Sequence, residues 1–305
     1  MFHSVDKWIT YMHTPVLLHE VVAALGVKPG EVFVDCTAGS GQHSVAVAQA
    51  VGSAYTHLAL DEDADALERT ATRLREQGFK ARLVQENFRR VDSVLVAEGI
   101  AEVDAFLFDL GVSTEELLQS GRGFSFNREE PLLMSFAKEV EEGKPTAREV
   151  INRWSEENLA TIIEGFGDER RARRIARAIV LARKAKPIKT SKELADIIAA
   201  AVSRTGKTHP ATRTFQAIRM AVNDELPALA EGLSKAFAAL KQGGRVAVIS
   251  FHSGEDRIVK RFFKEAEKRG EGTASKKPAA PSPSEVSANP RARSAKLRVF
   301  VKNIL

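Results

Sequence analysis

The chain has 305 residues, 44% of them hydrophobic and 28% charged, which is ordinary for a folded globular protein. No apolar run approaches the length of a membrane span and no signal-peptide core is present, so we expect neither a membrane nor a secreted protein. The single cysteine, Cys36, excludes an internal disulfide and favours the cytoplasm. The seven histidines lack cysteine or carboxylate partners at ligand spacing, so we expect no metal site.

The net charge of +5 is distributed unevenly along the chain. Six arginines and four lysines, with no acidic residue among them, lie between Arg170 and Lys192. A second basic stretch closes the chain and includes Arg291 and Arg293. Basic charge concentrated in this way is typical of proteins that bind a polyanion. A solvated helix face would explain either stretch alone equally well.

The first predicted unit is a strand, a glycine turn, a helix start and a second strand. Apolar alternation predicts the two strands at 32–34 and 57–60, on either side of the sequence DCTAGSGQHS. In this turn, Gly39 and Gly41 would let the backbone approach a ligand. Asp61 ends the second strand, where it could accept hydrogen bonds from a ribose hydroxyl pair. The unit therefore predicts a nucleotide-like cofactor, although a glycine turn can also serve only to pack a helix on a strand.

Two details favour S-adenosylmethionine over a dinucleotide. Ser44 occupies the position where the third glycine of a dinucleotide motif would stand. Asp35 places a carboxylate beside the turn, which would repel a pyrophosphate but attract the ammonium and sulfonium of S-adenosylmethionine.

The alternation of strands and helices continues to about residue 113 and predicts a parallel sheet with helical crossovers. The next predicted elements are a helix at 63–76, a strand at 81–84, a helix at 89–98 and a strand at 103–109. Residues 115–208 then show helical periodicity without a convincing strand, with helix starts near Ser155 and Ser191. We interpret this segment as a helical domain inserted into the sheet.

The sheet pattern resumes after the insertion. It predicts a helix over 211–240, a buried strand at 243–250, a helix at 256–268 and a final edge strand with apolar residues at 297, 299 and 301. Residues 270–290 are rich in Gly, Ser, Ala, Pro and Lys, so we expect a flexible loop there. The fold class is therefore α/β, a Rossmann-like sheet with an all-helical insertion.

The chain also contains a series of ordered motifs. They are MHTPVLLHE from Met12, the glycine turn ending in His43-Ser44, DLGVS from Asp109, RGFSF from Arg122, HPATRTFQ from His209, VNDEL from Val222, ISFHSGEDR from Ile249 and NPRARS from Asn289. Together they resemble the RsmH (MraW) family of bacterial small-subunit rRNA N4-cytidine methyltransferases, and the resemblance runs from about Met12 to Arg298.

The resemblance implies a class I methyltransferase domain at 12–114 and 209–305, a helical substrate domain at 115–208, and an extension at 1–11 that matches nothing in the family. It implies that S-adenosylmethionine donates a methyl group to the exocyclic amine of a decoding-centre cytidine in 16S rRNA, within the small ribosomal subunit. The cofactor-binding positions that carry over are Gly41, Gln42, His43, Asp61, Phe88, Asp109 and Glu116.

Several positions depart from the family pattern. The family usually has glycine at the position of Gln42 and glutamine at that of Glu116. After Phe126 the chain has Leu133 and Ser135 where the family has an acid and a base. These changes leave open a catalytically weakened, ribosome-binding relative, and a small-molecule methyltransferase is a further alternative.

Chemistry suggests roles for a few more side chains. Asp109 ends the fourth strand, where a carboxylate could accept from the target amine or hold the cofactor, and His252 follows the next strand end as a possible base contact. Phe124 and Phe126 could stack on an unpaired base, although two nearby phenylalanines are more often core residues. The residues expected to contact RNA phosphates are Arg170, Arg173, Arg174, Arg177, Arg213, Arg291 and Arg293.

Overall fold

The computed structural model describes residues 15–113, 117, 120–140, 143–203 and 209–304. Two sequence predictions, the extension at 1–11 and the cofactor contact of Glu116, lie outside these residues. The strands are β1 (Val32–Asp35), β2 (Thr56–Asp61), β3 (Arg82–Gln85), β4 (Val103–Asp109), β5 (Leu240–Ser250), β6 (Gly272–Ala274) and β7 (Lys296–Lys302). The first helices are α1 (Leu18–Leu25), α2 (Gln42–Val51), α3 (Ala64–Glu76) and α4 (Val91–Ala97).

The remaining helices follow β4. They are α5 (Ala147–Arg153), α6 (Glu156–Gly165), α7 (Ala172–Ala185), α8 (Ser191–Ala201), α9 (Thr212–Asn223), α10 (Glu225–Ala239), α11 (Ser253–Lys268) and α12 (Pro283–Ala288). Short 3₁₀ turns at Phe88–Arg90 and Pro290–Ser294 complete the described elements. None of the described helices is long and apolar enough to cross a membrane.

The seven strands form one sheet in the order β3-β2-β1-β4-β5-β7-β6. The first five are parallel, and β7 and β6 add antiparallel pairings. Helices cover both faces, so alternate residues of β4 enter two separate cores. Phe106 and Phe108 pack in one core, and Ala105 and Leu107 pack in the other. This confirms the predicted α/β class, and it gathers the carboxyl ends of β1 to β5 at one edge, where such sheets bind ligands.

Helices α5 to α8 pack around a core of their own, as the helical periodicity predicts. Side-chain caps fix the starts of α5, α6 and α8, with capping boxes at Thr146 and Thr190 and a serine cap at Ser155. The start of α8 is thus capped by Thr190 rather than by the predicted Ser191. Helix α9 also buries Phe215 and Ile218 in this core, so the helical layer continues beyond the predicted boundary at residue 208.

The helix expected over 211–240 is divided into α9 and α10. Asp224 has a left-handed backbone (φ 51°) between them. The amide of Asn223 is held by the insertion, because it donates to the Met134 carbonyl and accepts from the Phe136 N–H. The apolar periodicity of the sequence does not indicate tertiary hydrogen bonds of this kind, so it could not predict the break between the two helices.

The predictions for the C-terminal segment are wrong in two respects. The flexible loop expected at 270–290 contains β6 and α12, and its backbone bonds to β7 through Ser275 and Ala279. Because β6 pairs with β7, β7 is an interior strand and not the predicted edge. The three residues of β6 are too few to show alternation, so composition alone suggested a flexible loop.

Candidate functional site

A cavity of about 440 Å³ opens at the carboxyl ends of the parallel strands. Its wall follows the order of the sheet: residues after β3, β2, β1, β4 and β5 line it in turn, and α9 and the start of α10 add the side facing the insertion. The volume lies in the range of ordinary small-molecule sites.

Asp61 connects the ends of β1 and β2. Its Oδ2 accepts the Gly39 N–H at 2.8 Å and its Oδ1 accepts the Asp63 N–H at 2.9 Å. Both Asp61 and Gly39 line the cavity, as the sequence predicted for cofactor-binding residues. Each carboxylate oxygen can accept more than one hydrogen bond, so Asp61 retains capacity for a ligand hydroxyl.

Asp35 and Gly41 are not among the residues that line the cavity, although the sequence predicts that both contact the cofactor. Asp35 is 1% exposed, and its carboxylate accepts from the Thr37 N–H and the Ser44 hydroxyl beneath the turn. Burial raises the pKa of Asp35, although the bond from Ser44 opposes the shift. Gly41 packs against α3, because a Cβ at Gly41 would lie 2.8 Å from the Thr70 Cα. Both residues support the turn through contacts on the side away from the cavity.

The cavity continues to the end of β3. The Asn87 amide donates to Glu62 at 2.6 Å and also caps the turn that begins at Phe88. The Phe88 ring meets Phe108 edge-on and lies so close to α10 that a Cβ at Gly232 would be 2.7 Å from it. These contacts place an apolar ring and polar side chains where the cofactor base is expected.

His43, in the first turn of α2, faces Asp109 at the end of β4. Their side chains approach to 3.4 Å between Nε2 and Oδ2, while His43 Nδ1 and Asp109 Oδ1 are buried without hydrogen-bond partners among the described residues. Burial works to lower the pKa of His43, but the carboxylates of Asp109 and Asp35 more than offset it, so the pKa is raised. The Asp109 backbone N–H donates to the Thr37 hydroxyl, which ties β4 to the turn after β1.

Gln42 begins α2, and its side-chain oxygen is likewise buried without a partner. Unpartnered polar atoms on Gln42, His43 and Asp109 therefore lie at one end of the cavity. Buried polar groups normally find partners, so this end fits a ligand that carries both an ammonium and a carboxylate.

Beyond β4, the cavity is lined by Arg291 and by a group of charged or titratable side chains that we term the β5-end cluster: Arg219, Glu225, His252 and Glu255. Arg219 forms two bonds to the Glu225 carboxylate, at 2.7 and 2.8 Å. Burial raises the pKa of Glu225, against the opposing effect of Arg219. Ligand atoms of Glu225, His252 and Glu255 lie within 4.8 Å of one another, a proximity that sequence spacing did not indicate. The Arg219 guanidinium works against a metal cation there.

The phenylalanines expected to stack on RNA are packed within the protein. Phe124 is 5% exposed and its ring contacts those of Phe136 and, through a cation–π contact, Arg122. Phe126 stacks on His209 with ring centroids 4.5 Å apart. Both rings also line the cavity, so their contact with an unpaired base stays a prediction.

The predicted basic face is present on α7. Arg173, Arg174 and Arg177 are exposed on this helix and Arg170 is exposed in the turn before it, and none of the four guanidinium groups pairs with an acid among the described residues. Of the other arginines assigned to RNA, Arg213 donates to the Asp168 carbonyl, Arg291 lines the cavity and Arg293 is exposed.

The RGFSF motif connects the insertion to the sheet. Arg122 is 7% exposed, donates to Asp63 at 2.8 Å and also to the Phe136 carbonyl. The segment that departs from the family lies beside this contact: Leu133 donates its N–H to the Arg122 carbonyl, and Ser135 is buried. Neither Leu133 nor Ser135 lines the cavity.

Sequence reasoning missed Thr37, Glu62, Arg219, Glu225 and Glu255 as cavity residues. A signal existed for Glu225 and Glu255, because both stand in the quoted motifs VNDEL and ISFHSGEDR. Arg219 is a charged residue on an apolar helix, which is a weaker signal.

Comparisons with known proteins identify the family of the chain. Residues 10–303 match the MraW methylase family. The chain is 44% identical to the ribosomal RNA small subunit methyltransferase H of Coprothermobacter proteolyticus over 96% of each chain. It is also 44% identical to the protein of that name from Rhodopseudomonas palustris strain TIE-1, over 94% of this chain and 89% of that one.

Among solved structures, a putative rRNA-methylase from Clostridium thermocellum aligns with a TM-score of 0.48 and 14% identity, over 95% of this chain and 100% of that one. The family match spans nearly the whole chain, and the relatives are well above 30% identical. The chain therefore belongs to the MraW methylase family, as its ordered motifs predicted, and its cofactor is S-adenosylmethionine.

Proposed function

We propose that the protein methylates the exocyclic N4 amine of one cytidine in the decoding centre of 16S rRNA, within the small ribosomal subunit. The observation that carries this proposal is a single cavity that joins a cofactor site at the ends of β1 to β4 with a charged wall at the end of β5. The names of its curated relatives support rRNA as the substrate.

The residues around the cavity suit each part of the cofactor. Asp61 would accept from the ribose hydroxyls, and Phe88 would pack against the adenine. At the other end, Asp109 Oδ1 would accept from the ammonium group, and His43 with the free N–H groups that begin α2 would bind the carboxylate. This arrangement gives partners to the buried polar atoms of His43 and Asp109 that have none within the described residues.

A cytosine amine is a weak nucleophile because its lone pair is delocalised into the ring, so orientation provides much of the acceleration. The bound cofactor supplies an electrophilic methyl group, whose bond to sulfur breaks as the cytosine nitrogen bonds to the carbon and loses a proton. Within the chain, Thr37 holds the backbone of Asp109 and thereby fixes the carboxylate at the end of β4. Arg122 anchors the insertion beside the site.

The basic face of α7 supplies the affinity for rRNA in this proposal. Unpaired, exposed guanidinium groups bind phosphates and release condensed counterions, which makes affinity fall with salt. Replacing Arg170, Arg173 and Arg177 with glutamine should weaken binding to the small subunit. It should also reduce the log–log salt slope by roughly 0.7 for each lost phosphate contact. An unchanged slope would mean that these arginines only solvate the helix.

The decisive experiment is methyl transfer to small ribosomal subunits that lack the modification, with the product nucleoside identified by mass spectrometry. We expect N4-methylcytidine at one position. Cofactor binding without transfer would favour a ribosome-binding relative instead. Methylation of a free metabolite with no transfer to subunits would favour a small-molecule methyltransferase.

A further inference from the structure

The β5-end cluster lies next in line after the cofactor residues. The ends of β3, β2, β1 and β4 place Phe88, Asp61, the glycine turn and Asp109 along the cavity in that order. The next strand in the sheet is β5, and its carboxyl end leads into Phe251 and His252. A methyl group delivered beside Asp109 therefore faces the cluster, and the acceptor must lie between them.

His252 presents a hydrogen-bond donor to the cavity. It caps α11, and its Nδ1 accepts the Glu255 N–H at 3.3 Å. An accepting Nδ1 carries no proton, so in the neutral ring the proton is on Nε2. Nε2 lies 3.1 Å from Glu255 Oε1, yet the angle gives no hydrogen bond, and the atom is buried without a partner in the described residues.

Glu255 presents an acceptor beside that donor. Its Oε2 is occupied by the N–H groups of Phe251 and His252, at 2.8 and 3.2 Å. Its Oε1 accepts no backbone N–H in the described chain and is directed towards the imidazole. Glu255 is 3% exposed, and the capping box holds it in place. The result is a rigid acceptor–donor pair with adjacent atoms.

We propose that Glu255 and His252 read the Watson–Crick edge of the target base, a reading that depends on the proposed methyl transfer to cytosine. Glu255 Oε1 accepts from the N4 amine, and His252 Nε2–H donates to the ring nitrogen N3. Uracil has the acceptor O4 where cytosine has the N4 donor, and the donor N3–H where cytosine has an acceptor nitrogen. With uracil, O4 would therefore face the carboxylate and N3–H would face the imidazole donor, and neither hydrogen bond could form. The pair therefore selects cytosine before the reaction begins.

The same contact gives the amine proton a destination. As the N4 nitrogen bonds to the methyl carbon and the carbon–sulfur bond breaks, the nitrogen becomes positively charged. It returns to neutrality when its proton passes to the Glu255 carboxylate. The electron pair of the broken bond stays with sulfur, so charge and atoms balance.

Two variants test the pair while preserving the start of α11. His252→Asn keeps an oxygen that can cap the helix, and Glu255→Gln keeps a capping-box side chain. The assay measures binding of each variant, in the presence of S-adenosylhomocysteine, to subunits carrying either the target cytidine or uridine at that position. We expect the wild type to prefer cytidine by roughly 5- to 150-fold, and both variants to bring the ratio near one. Their affinity for S-adenosylhomocysteine should match the wild type.

Arg177→Gln is the matched control, because loss of a phosphate contact should weaken both complexes and leave the ratio unchanged. If the wild type methylates subunits but either variant keeps the full preference for cytidine, the base-reading role is refuted while the proposed function stands. If the wild type shows neither transfer nor preference, the proposed function itself fails.

Discussion

Removing one partner of the buried contact between Arg122 and Asp63 should cost more stability than breaking an exposed ion pair. The two side chains are 9% and 2% exposed and lie 2.8 Å apart. Removing one partner of a buried pair leaves the other charge desolvated and costs about 3–5 kcal/mol. In Arg122→Met, Asp63 would keep only the Asp65 N–H and the more distant Arg69, at 3.9 Å. We therefore expect a loss of about 3–5 kcal/mol in the free energy of unfolding.

Urea unfolding followed by circular dichroism measures this loss. Arg153→Met is a suitable control, because Arg153 pairs with Glu149 at 3.2 Å but the side chains are 77% and 40% exposed, so its loss should cost about 0–1 kcal/mol. Adding Asp63→Asn to Arg122→Met should recover part of the stability, since no charge is then left unpaired. A loss in Arg122→Met no larger than in Arg153→Met would refute the reasoning.

Three other changes test the cofactor side of the cavity. Asp61→Ala should weaken the binding of S-adenosylmethionine at least about tenfold, as measured by calorimetry, because each charge-assisted hydrogen bond contributes about 1.5–3 kcal/mol. An unchanged dissociation constant with intact folding would contradict the ribose contact. Gly41→Ala should destabilise the protein by about 1–3 kcal/mol more than Gly78→Ala. The two glycines have similar positive φ, but of the two only Gly78 has open space for a Cβ. Equal losses would show that backbone strain alone determines the cost. The raised pKa of His43 keeps the imidazole charged up to a higher pH than usual, so affinity for S-adenosylmethionine should fall as pH rises through that pKa. Binding of 5′-methylthioadenosine, which lacks the amino-acid end, should not depend on pH. The same pH dependence in His43→Gln would exclude His43 as its source.

The sequence predicted the sheet and the cofactor side of the site because both depend on local patterns. Apolar runs mark β1, β2 and β4, and the residue that ends such a strand must lie at the ligand-binding edge, which places Asp61 and Asp109. The same reasoning could not distinguish Asp35 from Asp61. Both end a strand, but the carboxylate of Asp35 turns beneath the loop to meet Ser44, and only tertiary contacts decide that.

The errors share a cause in contacts between distant parts of the chain. The 270–290 segment has a composition typical of flexible loops, yet Glu285 accepts the Leu17 N–H across 268 residues of sequence. Arg219 and Glu225 pair across Asp224, the left-handed residue between α9 and α10, and the apolar periodicity did not predict that break.

The order of the cavity wall along the sheet has a consequence for how such enzymes can diversify. The ends of β1, β2 and β4 are joined by side chains that accept backbone N–H groups from a neighbouring strand end, Asp61 from Gly39 and Thr37 from Asp109, so a change there disturbs two strands at once. In the wall formed by α9 and α10, the pair of Arg219 and Glu225 joins two side chains. Substitutions in that wall can alter the choice of acceptor while the methyl donor stays in place, so new targets would arise on this side of the cavity.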